Sequence, residues 1–189
     1  MAILKIATIG HPVLREVARP VSSEELASAD VQRFIDDLVE TMVDANGAGI
    51  AANQVFRPIR VAAICVKDNP RYPYKPNWPL TILVNPEVTK TTDETFMNYE
   101  GCLSVPNLRG EVPRLAGVRV RALDRTGKQL DFEVKGLTAG TFQHELDHLD
   151  GKLFVDYLSE LKRTRIRKKL EKEKRNRPAT VDGVRTPAL

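Results

Sequence analysis

The chain has 189 residues, 42% of them hydrophobic and 29% charged, which is enough for one domain with a buried core. No apolar run approaches the ~18 residues of a membrane span, and charge and proline come too early in the N-terminal segment for a secretory signal, so we expect a cytoplasmic protein with no membrane partner. The net charge is +4, and residues 160–175 alone hold nine Lys and Arg against three Glu, which makes one C-terminal segment strongly basic.

The first predicted element is a helix at about residues 24–44. A capping box of Ser22 and Glu25 precedes it, and apolar residues then recur at three- and four-residue spacing. The helix is predicted to end where Asn46 and Gly47 can adopt the left-handed backbone of a helix C-terminus.

From there to residue 135 the signals are those of β-strands. Residues 59–66 and 80–88 are apolar enough for buried strands, and the proline-rich stretch 68–79 between them has to be a loop, to which we assign no function. Alternating residues on both sides of "DRTG" predict a hairpin. Helical spacing returns after Gly136, and a last helix is predicted to begin near Asp156.

These elements predict an α+β protein in which antiparallel or mixed β-sheets surround a central helix, followed by a C-terminal helix. Residues 1–175 then form one domain. Residues 176–189, with two prolines and a glycine, are expected to be a disordered tail.

Two of the chain's three histidines, His144 and His148, lie on the central helix, four residues apart. That spacing puts both rings on one face, where they can bind one metal ion; two chance histidines on a solvated helix are the plainer alternative. Glu145 points about 100° away around the axis and can act as general base on a metal-bound water. Asp147 is either a solvated acid or an ion-pair residue that supports the site, with Arg114 as its candidate partner.

The third ligand of a catalytic ion has to come from elsewhere, because no histidine follows His148. Cys102, in the glycine- and proline-bounded "YEGCLSVP", is favoured because a thiolate binds divalent ions well. The alternatives lie downstream: Asp150, Asp156 and Glu160. A zinc endopeptidase is the rival enzyme class, although it would normally take its third ligand from beyond the second histidine.

Three stretches resemble the signature motifs of the peptide deformylase family, in the family's order: "GAGIAANQ" (47–54), "EGCLS" (100–104) and "QHELDH" (143–148). The likeness spans about residues 5–175. It implies a metal-dependent hydrolase that removes the formyl group from the N-terminal N-formylmethionine of newly synthesised polypeptides and releases formate.

Carried over position by position, the resemblance also implies the roles of the site residues. The metal ligands are Cys102, His144 and His148, with water in the fourth position. Glu145 is the general base and acid. The side chain of Gln54 and the backbone N–H of Leu103 form the oxyanion hole.

The resemblance places the substrate as well. Its backbone is expected to pair, like an added β-strand, with three residues: Ala48, Gly49 and Gly101. Its methionine side chain would enter an apolar pocket with Arg109 at the mouth. Gly140 and Thr141 stand where the family more often has bulkier apolar residues or cysteine, so Thr141 is a candidate substrate-binding residue and the side-chain preference of the pocket is in question.

The ligand types alone do not select a metal, since one Cys and two His suit zinc or iron(II), and intrinsic affinity favours zinc. The resemblance implies Fe(2+), one per chain, which Zn, Ni or Co can replace in preparations.

The basic segment 160–175 has two interpretations. It is either a solvated helix end or a ribosome- or RNA-binding surface, in which no interleaved aromatic residue supports base stacking. Enzyme and binding functions combine if the C-terminal helix docks the protein on the ribosome beside its substrate, as the resemblance implies.

Overall fold

The computed structural model describes residues 2–160 and, beyond them, residues 162, 164, 166, 168, 171 and 172. The chain forms two compact units, one that ends at Tyr157 and one that begins at Leu158. The expected tail at 176–189 lies outside the described residues, and the extent of the domain at 1–175 stays a prediction.

The first predicted helix is in fact two helices, α1 (Ser23–Ala27) and α2 (Ala29–Asp44). The capping box of Ser22 and Glu25 is confirmed at the start of α1. Ser28 breaks the helix because its hydroxyl donates to the carbonyl of Glu25 and accepts from the N–H of Val31, so it caps the second helix. At the C-terminal end Asn46 adopts a positive φ of 51°, whereas Gly47 does not.

Seven strands lie along the chain between α2 and the next helix. They are β1 (Gly49–Ala51), β2 (Val61–Val66), β3 (Trp78–Lys90), β4 (Thr95–Cys102), β5 (Val105–Leu115), β6 (Gly117–Leu123) and β7 (Gln129–Lys135). They form a five-stranded sheet of order β1-β2-β3-β6-β7 and a two-stranded sheet of β4 and β5. All of these strand pairs are antiparallel.

The predicted hairpin is confirmed as β6 and β7. Its turn is held by Asp124, whose carboxylate accepts from the backbone N–H of Thr126 and of Lys128, and Gly127 adopts a φ of 86°. The predicted loop at 68–79 is present but ends earlier than predicted, because Trp78 and Pro79 already belong to β3. We call it loop 67–77.

The predicted central helix is α3 (Gly136–Leu149), which packs against strands of both sheets. Phe142 and Leu146 on α3 pack with the inner face of the five-stranded sheet, including Ile64 and Val120. A second cluster lies between α2 and the first strands, around Ile35. The α+β architecture of antiparallel sheets around one internal helix is therefore confirmed.

After α3 the chain forms a short 3-10 helix at Phe154–Tyr157, where we predicted the last helix to begin. The described residues from Glu160 onward are helical, and those at 160, 162, 168, 171 and 172 are exposed. None of the helices in the described part of the chain is long and apolar enough to cross a membrane.

Candidate functional site

The structure brings together the three residues named as metal ligands. Cys102 is the last residue of β4, and His144 and His148 lie on the face of α3 that this strand end meets. All three are buried, and their candidate ligand atoms lie within 4.8 Å of one another. Cys102 Sγ is 3.2 Å from His148 Nε2. This is close to the spacing of atoms that each lie ~2.0–2.3 Å from one ion.

The donor set also has the outer support that metal ligands usually have. His144 Nδ1 lies 2.8 Å from Glu100 Oε2, which leaves the Nε2 atom of His144 to face Cys102 and His148. A ligating histidine normally donates its second ring N–H to a carboxylate in this way. Within the described residues, no other group of three Cys, His, Asp or Glu could hold an ion, so the downstream alternatives have no such group around them.

Glu100 is itself fixed by Arg114, at the centre of a buried network. Arg114 donates from Nε and Nη2 to the two oxygens of Glu100 at 2.6 and 3.0 Å, and from Nη1 to Asp147 at 2.6 Å. Burial alone would raise the pKa of Glu100, but the bonds from His144 and Arg114 lower it to about 2. Of the two interpretations left open for Asp147, the structure shows the ion pair with Arg114, and Tyr157 donates to the other oxygen of Asp147.

Glu145 has the environment of a proton carrier. Its side chain is 4% exposed, and its Oε2 atom has no hydrogen-bond partner in the described part of the chain. Burial raises the pKa of its carboxyl to about 7, against the charges of His144 and Lys75. A Cβ at Gly49 would lie 2.5 Å from Glu145 Oε1, so glycine is needed there to admit Glu145 itself, a reason that the sequence did not suggest.

Gln54 is held beside the cysteine with its amide oriented. Its Oε1 accepts from the N–H of Ala51 at 2.9 Å, and its Nε2 lies 3.0 Å from Ser104 Oγ and 3.5 Å from Cys102 Sγ. Leu103 follows the cysteine directly and lines the same cavity. The two residues predicted for the oxyanion hole therefore flank Cys102.

The cavity in front of these groups holds most of the predicted substrate residues. Among its lining residues are Ala48, Gly49, Gly101 and Thr141. Arg109 is not among them; its guanidinium lies 4.8 Å from the ring of Tyr72 and donates to the carbonyl of Arg71.

Sequence reasoning missed the contribution of loop 67–77 to this cavity. Tyr72 is 5% exposed and donates its hydroxyl to the carbonyl of Gly101 at 3.2 Å. The ammonium of Lys75 lies 2.7 Å from Thr141 Oγ1 and 4.7 Å from the centre of the Tyr72 ring. Two tyrosines between prolines were the one hint that this loop packs rather than extends into water.

Comparisons with known proteins agree with this geometry. The family model described as polypeptide deformylase matches residues 3–164. A peptide deformylase from Alkalilimnicola ehrlichii is 46% identical over 184 residues, which is 97% of each chain.

Solved structures show the same likeness. A class I type b peptide deformylase from Acinetobacter baumannii with Met-Ala-Ser bound is 39% identical, with a TM-score of 0.80 over 83% of this chain and 99% of that one. A peptide deformylase from Ehrlichia chaffeensis in complex with actinonin is 31% identical, with a TM-score of 0.83 over 93% of this chain and 100% of that one.

Proposed function

This chain belongs to the polypeptide deformylase family, and on that premise we propose that it removes the formyl group from the N-terminal N-formylmethionine of newly synthesised polypeptides and releases formate. One observation carries the proposal. The buried thiol of Cys102 meets two buried imidazoles, with the unpaired carboxyl oxygen of Glu145 at the cavity beside them. We propose that Cys102, His144 and His148 are the metal ligands. Action on newly made chains would place the protein in the cytoplasm.

The residues of this chain supply the proton transfers and the binding of developing charge. A divalent ion held by the three ligands would polarise the formyl carbonyl and lower the pKa of a water molecule towards ~7. Glu145 takes a proton from the attacking water and returns it to the leaving amine, and burial, which raises the pKa of its carboxyl, favours proton uptake. Gln54 Nε2 and the N–H of Leu103 donate to the carbonyl oxygen as negative charge develops on it, and one such donor is typically worth ~3 kcal/mol.

The topology supports an added-strand mode for the substrate. β1, which contains Gly49, is the edge strand of the five-stranded sheet, so one side of its backbone is not paired within that sheet. Gly101 near the end of β4 lines the cavity together with Ala48 and Gly49. A peptide laid between these residues would find backbone groups on both sides.

We propose Fe(2+) as the working metal, one per chain. A thiolate with two imidazoles can bind either iron(II) or zinc. Anaerobic purification followed by metal analysis identifies the ion. Activity that follows iron content and falls on exposure to air would support iron, whereas air-stable activity that follows zinc content would contradict it.

A formate-release assay on a formyl-Met peptide, run anaerobically, tests the function. Glu145→Gln is expected to lower kcat by ~10²–10⁴ because it removes the proton carrier, while metal content is retained. Glu133→Gln, on the exposed face of β7, is the matched control and should behave as wild type. Cleavage of internal peptide bonds without formate release would instead indicate an endopeptidase.

Substitution of the thiol tests the ligand set. Cys102→Ala is expected to lose both metal and turnover because it removes one of three protein ligands. Cys65→Ala removes the other, partly buried cysteine and should lose neither. Full metal occupancy in Cys102→Ala would show that the thiol is not a ligand.

The proposed association with the ribosome rests on the charge of residues 160–175. Deletion of residues 165–189 is expected to leave turnover of a short formyl-Met peptide nearly intact while it weakens co-sedimentation with ribosomes, most clearly at low salt. If turnover fell in parallel, this segment would be part of the catalytic fold instead.

A further inference from the structure

One wall of the cavity, where loop 67–77, β4 and α3 meet, is polar in this protein. Three residues with hydrogen-bonding side chains line it: Lys75, Asn98 and Thr141. Asn98 is 1% exposed, and its Nδ2 donates to Glu100 Oε1 at 3.0 Å, which fixes the orientation of the amide. Its Oδ1 atom has no hydrogen-bond partner in the described part of the chain. A buried amide oxygen without a partner is costly, and its position on the cavity wall indicates that a ligand or water satisfies it.

Gly140 explains how the polar residue fits. A Cβ at Gly140 would lie 2.6 Å from Asn98 Nδ2 and 3.0 Å from Asn98 Cγ. The missing side chain on α3 is thus replaced in space by the asparagine of β4. At this point the cavity wall is therefore formed by the amide of Asn98 and not by a side chain of α3.

Lys75 completes this wall from loop 67–77. Its ammonium carries three N–H donors, and one hydrogen bond, to Thr141 Oγ1, accounts for only one of them. Thr141 donates its own hydroxyl hydrogen to the carbonyl of Leu137, so towards Lys75 it is an acceptor. No carboxylate forms an ion pair with this ammonium among the described residues, so its other donors remain available to a ligand.

An unoxidised methionine side chain makes poor use of these groups. Its thioether sulfur is a weak acceptor, whereas a sulfoxide oxygen on the same side chain is a strong one. The cavity as it stands has a volume of about 30 Å³, which is room for about two water molecules, so the partly exposed Lys75 side chain has to shift outward when either side chain enters. A shift of this kind would bring its ammonium, which now lies 2.7 Å from Thr141 Oγ1, towards the mouth of the pocket and within reach of the end of the bound side chain.

Building on the proposed function, we propose that this pocket binds a first residue whose side chain ends in a hydrogen-bond-accepting oxygen at least as well as it binds methionine, with methionine sulfoxide as the probe, and that Lys75 is the specificity-determining residue. Chains that begin with oxidised formylmethionine would then be substrates of this enzyme. The polar wall of Lys75, Asn98 and Thr141 is what distinguishes such a pocket from one that is lined by hydrocarbon alone.

The test measures binding of product tripeptides to the metal-loaded protein by calorimetry, which requires no turnover. Wild type is expected to bind methionine-sulfoxide-Ala-Ser at least as tightly as Met-Ala-Ser. Lys75→Met, an unbranched apolar replacement, should shift the ratio of the two affinities by tenfold or more towards Met-Ala-Ser, by weakening the first and strengthening the second. Lys67→Met, at an exposed position at the start of the same loop, should keep the wild-type ratio.

Three results would overturn the inference: wild type binds Met-Ala-Ser more than tenfold tighter, Lys75→Met weakens both tripeptides equally, or neither tripeptide binds. Formate release from the two formylated peptides separates this inference from the proposed function. Formate from formyl-Met-Ala-Ser with strong rejection of the sulfoxide would leave the function standing and remove the inference. If the ratio of the two affinities depended on Lys75 but neither peptide released formate, the inference about the pocket would stand and the proposed function would fall.

Discussion

The two sides of the cavity are held in different ways. The metal side, made by β4, β5 and α3, is fixed by charged pairs: Arg114 makes two bonds to Glu100 and one to Asp147, all between buried or mostly buried groups. The loop side, made by loop 67–77, is held by hydrogen bonds and cation–π contacts, without an ion pair among the described residues. Tyr72 donates to Gly101 and Asn69 donates to Asn46 and Gly47.

This difference separates chemistry from recognition. Metal ligands and the proton carrier must hold their geometry within about 0.5 Å to work, and a network of short charged bonds provides that. A side-chain pocket has to open for its ligand, and a loop held without buried ion pairs can do so at smaller cost. We therefore expect substitutions on the metal side to cost much more stability than those on the loop side.

The largest effect is expected from Arg114→Met. It removes the two arginine bonds from the Glu100 carboxylate, which is 3% exposed, and breaking a buried pair in this way typically costs ~3–5 kcal/mol. The free energy of unfolding from urea titrations at pH 7 measures it. Arg119→Met, which removes an exposed partner of Asp131, is the control and should change the midpoint little.

A double substitution sharpens the interpretation of Arg114→Met. Adding Glu100→Gln removes the stranded charge and should recover part of the lost stability. If Arg114→Met alone cost no more than the Arg119 control, the metal side would not owe its rigidity to this network.

Burial of the Glu145 carboxyl is expected to lower the free energy of unfolding at neutral and higher pH. In metal-depleted protein, Glu145→Gln is expected to raise the free energy of unfolding at pH 8 by ~3 kcal/mol. The folded carboxyl has a pKa of about 7 and the unfolded one about 4.5, and each unit of difference is worth ~1.36 kcal/mol. Because the folded state holds the proton more tightly, wild-type stability falls as pH rises from about 4.5 to 7.

The sign of this effect is what urea titrations across pH 4–8 would check. The advantage of Glu145→Gln should vanish below about pH 4.5, where both states of wild type are protonated. A wild type that became more stable than Glu145→Gln as pH rose would contradict a raised pKa.

The metal side was also the part that the sequence could predict. The positions of His144 and His148 on one face depend only on helix geometry, and a helix of that length was evident from its apolar spacing. Cys102 lies 46 residues before His148 in the sequence. Spacing alone therefore could not identify the third ligand, and the resemblance to the family motif was needed to select Cys102 from the candidates. The helix break at Ser28 was missed because a hydroxyl that bonds to the backbone leaves no mark in an apolar pattern.

The loop side could not be predicted, for a physical reason. Lys75 meets Thr141 across 66 residues of sequence, through a loop whose prolines exclude any periodic pattern. The sequence showed that Gly140 departs from the family pattern. It did not show that Asn98 fills the space, because a substitution on a helix does not identify the residue that packs against it.

Gly140→Ala tests the contact where the polar wall meets α3. Its Cβ would approach Asn98 Nδ2 to 2.6 Å, so we expect a loss of ~1–2 kcal/mol from overpacking, although alanine favours a helix by ~1 kcal/mol. In an Asn98→Ala background the same change should be stabilising. Equal effects in the two backgrounds would show that the two positions are not coupled.

The smallest effect is expected on the loop side, from Tyr72→Phe. It removes the bond to the carbonyl of Gly101 but keeps the ring against Lys75 and Arg109, so the loss should be ~1 kcal/mol or less. Tyr74→Phe, at a hydroxyl 3.4 Å from the carbonyl of Tyr99 on a side chain that is 48% exposed, should cost less still.

Urea titration and amide hydrogen exchange of loop 67–77 measure both tyrosine variants. Tyr72→Phe should raise exchange in the loop and leave α3 protected, because the charged network behind the metal ligands does not depend on that bond. If its cost matched that of Arg114→Met, or if α3 lost protection together with the loop, the two sides would form one cooperative unit, and a pocket that opens independently of the metal ligands would be ruled out.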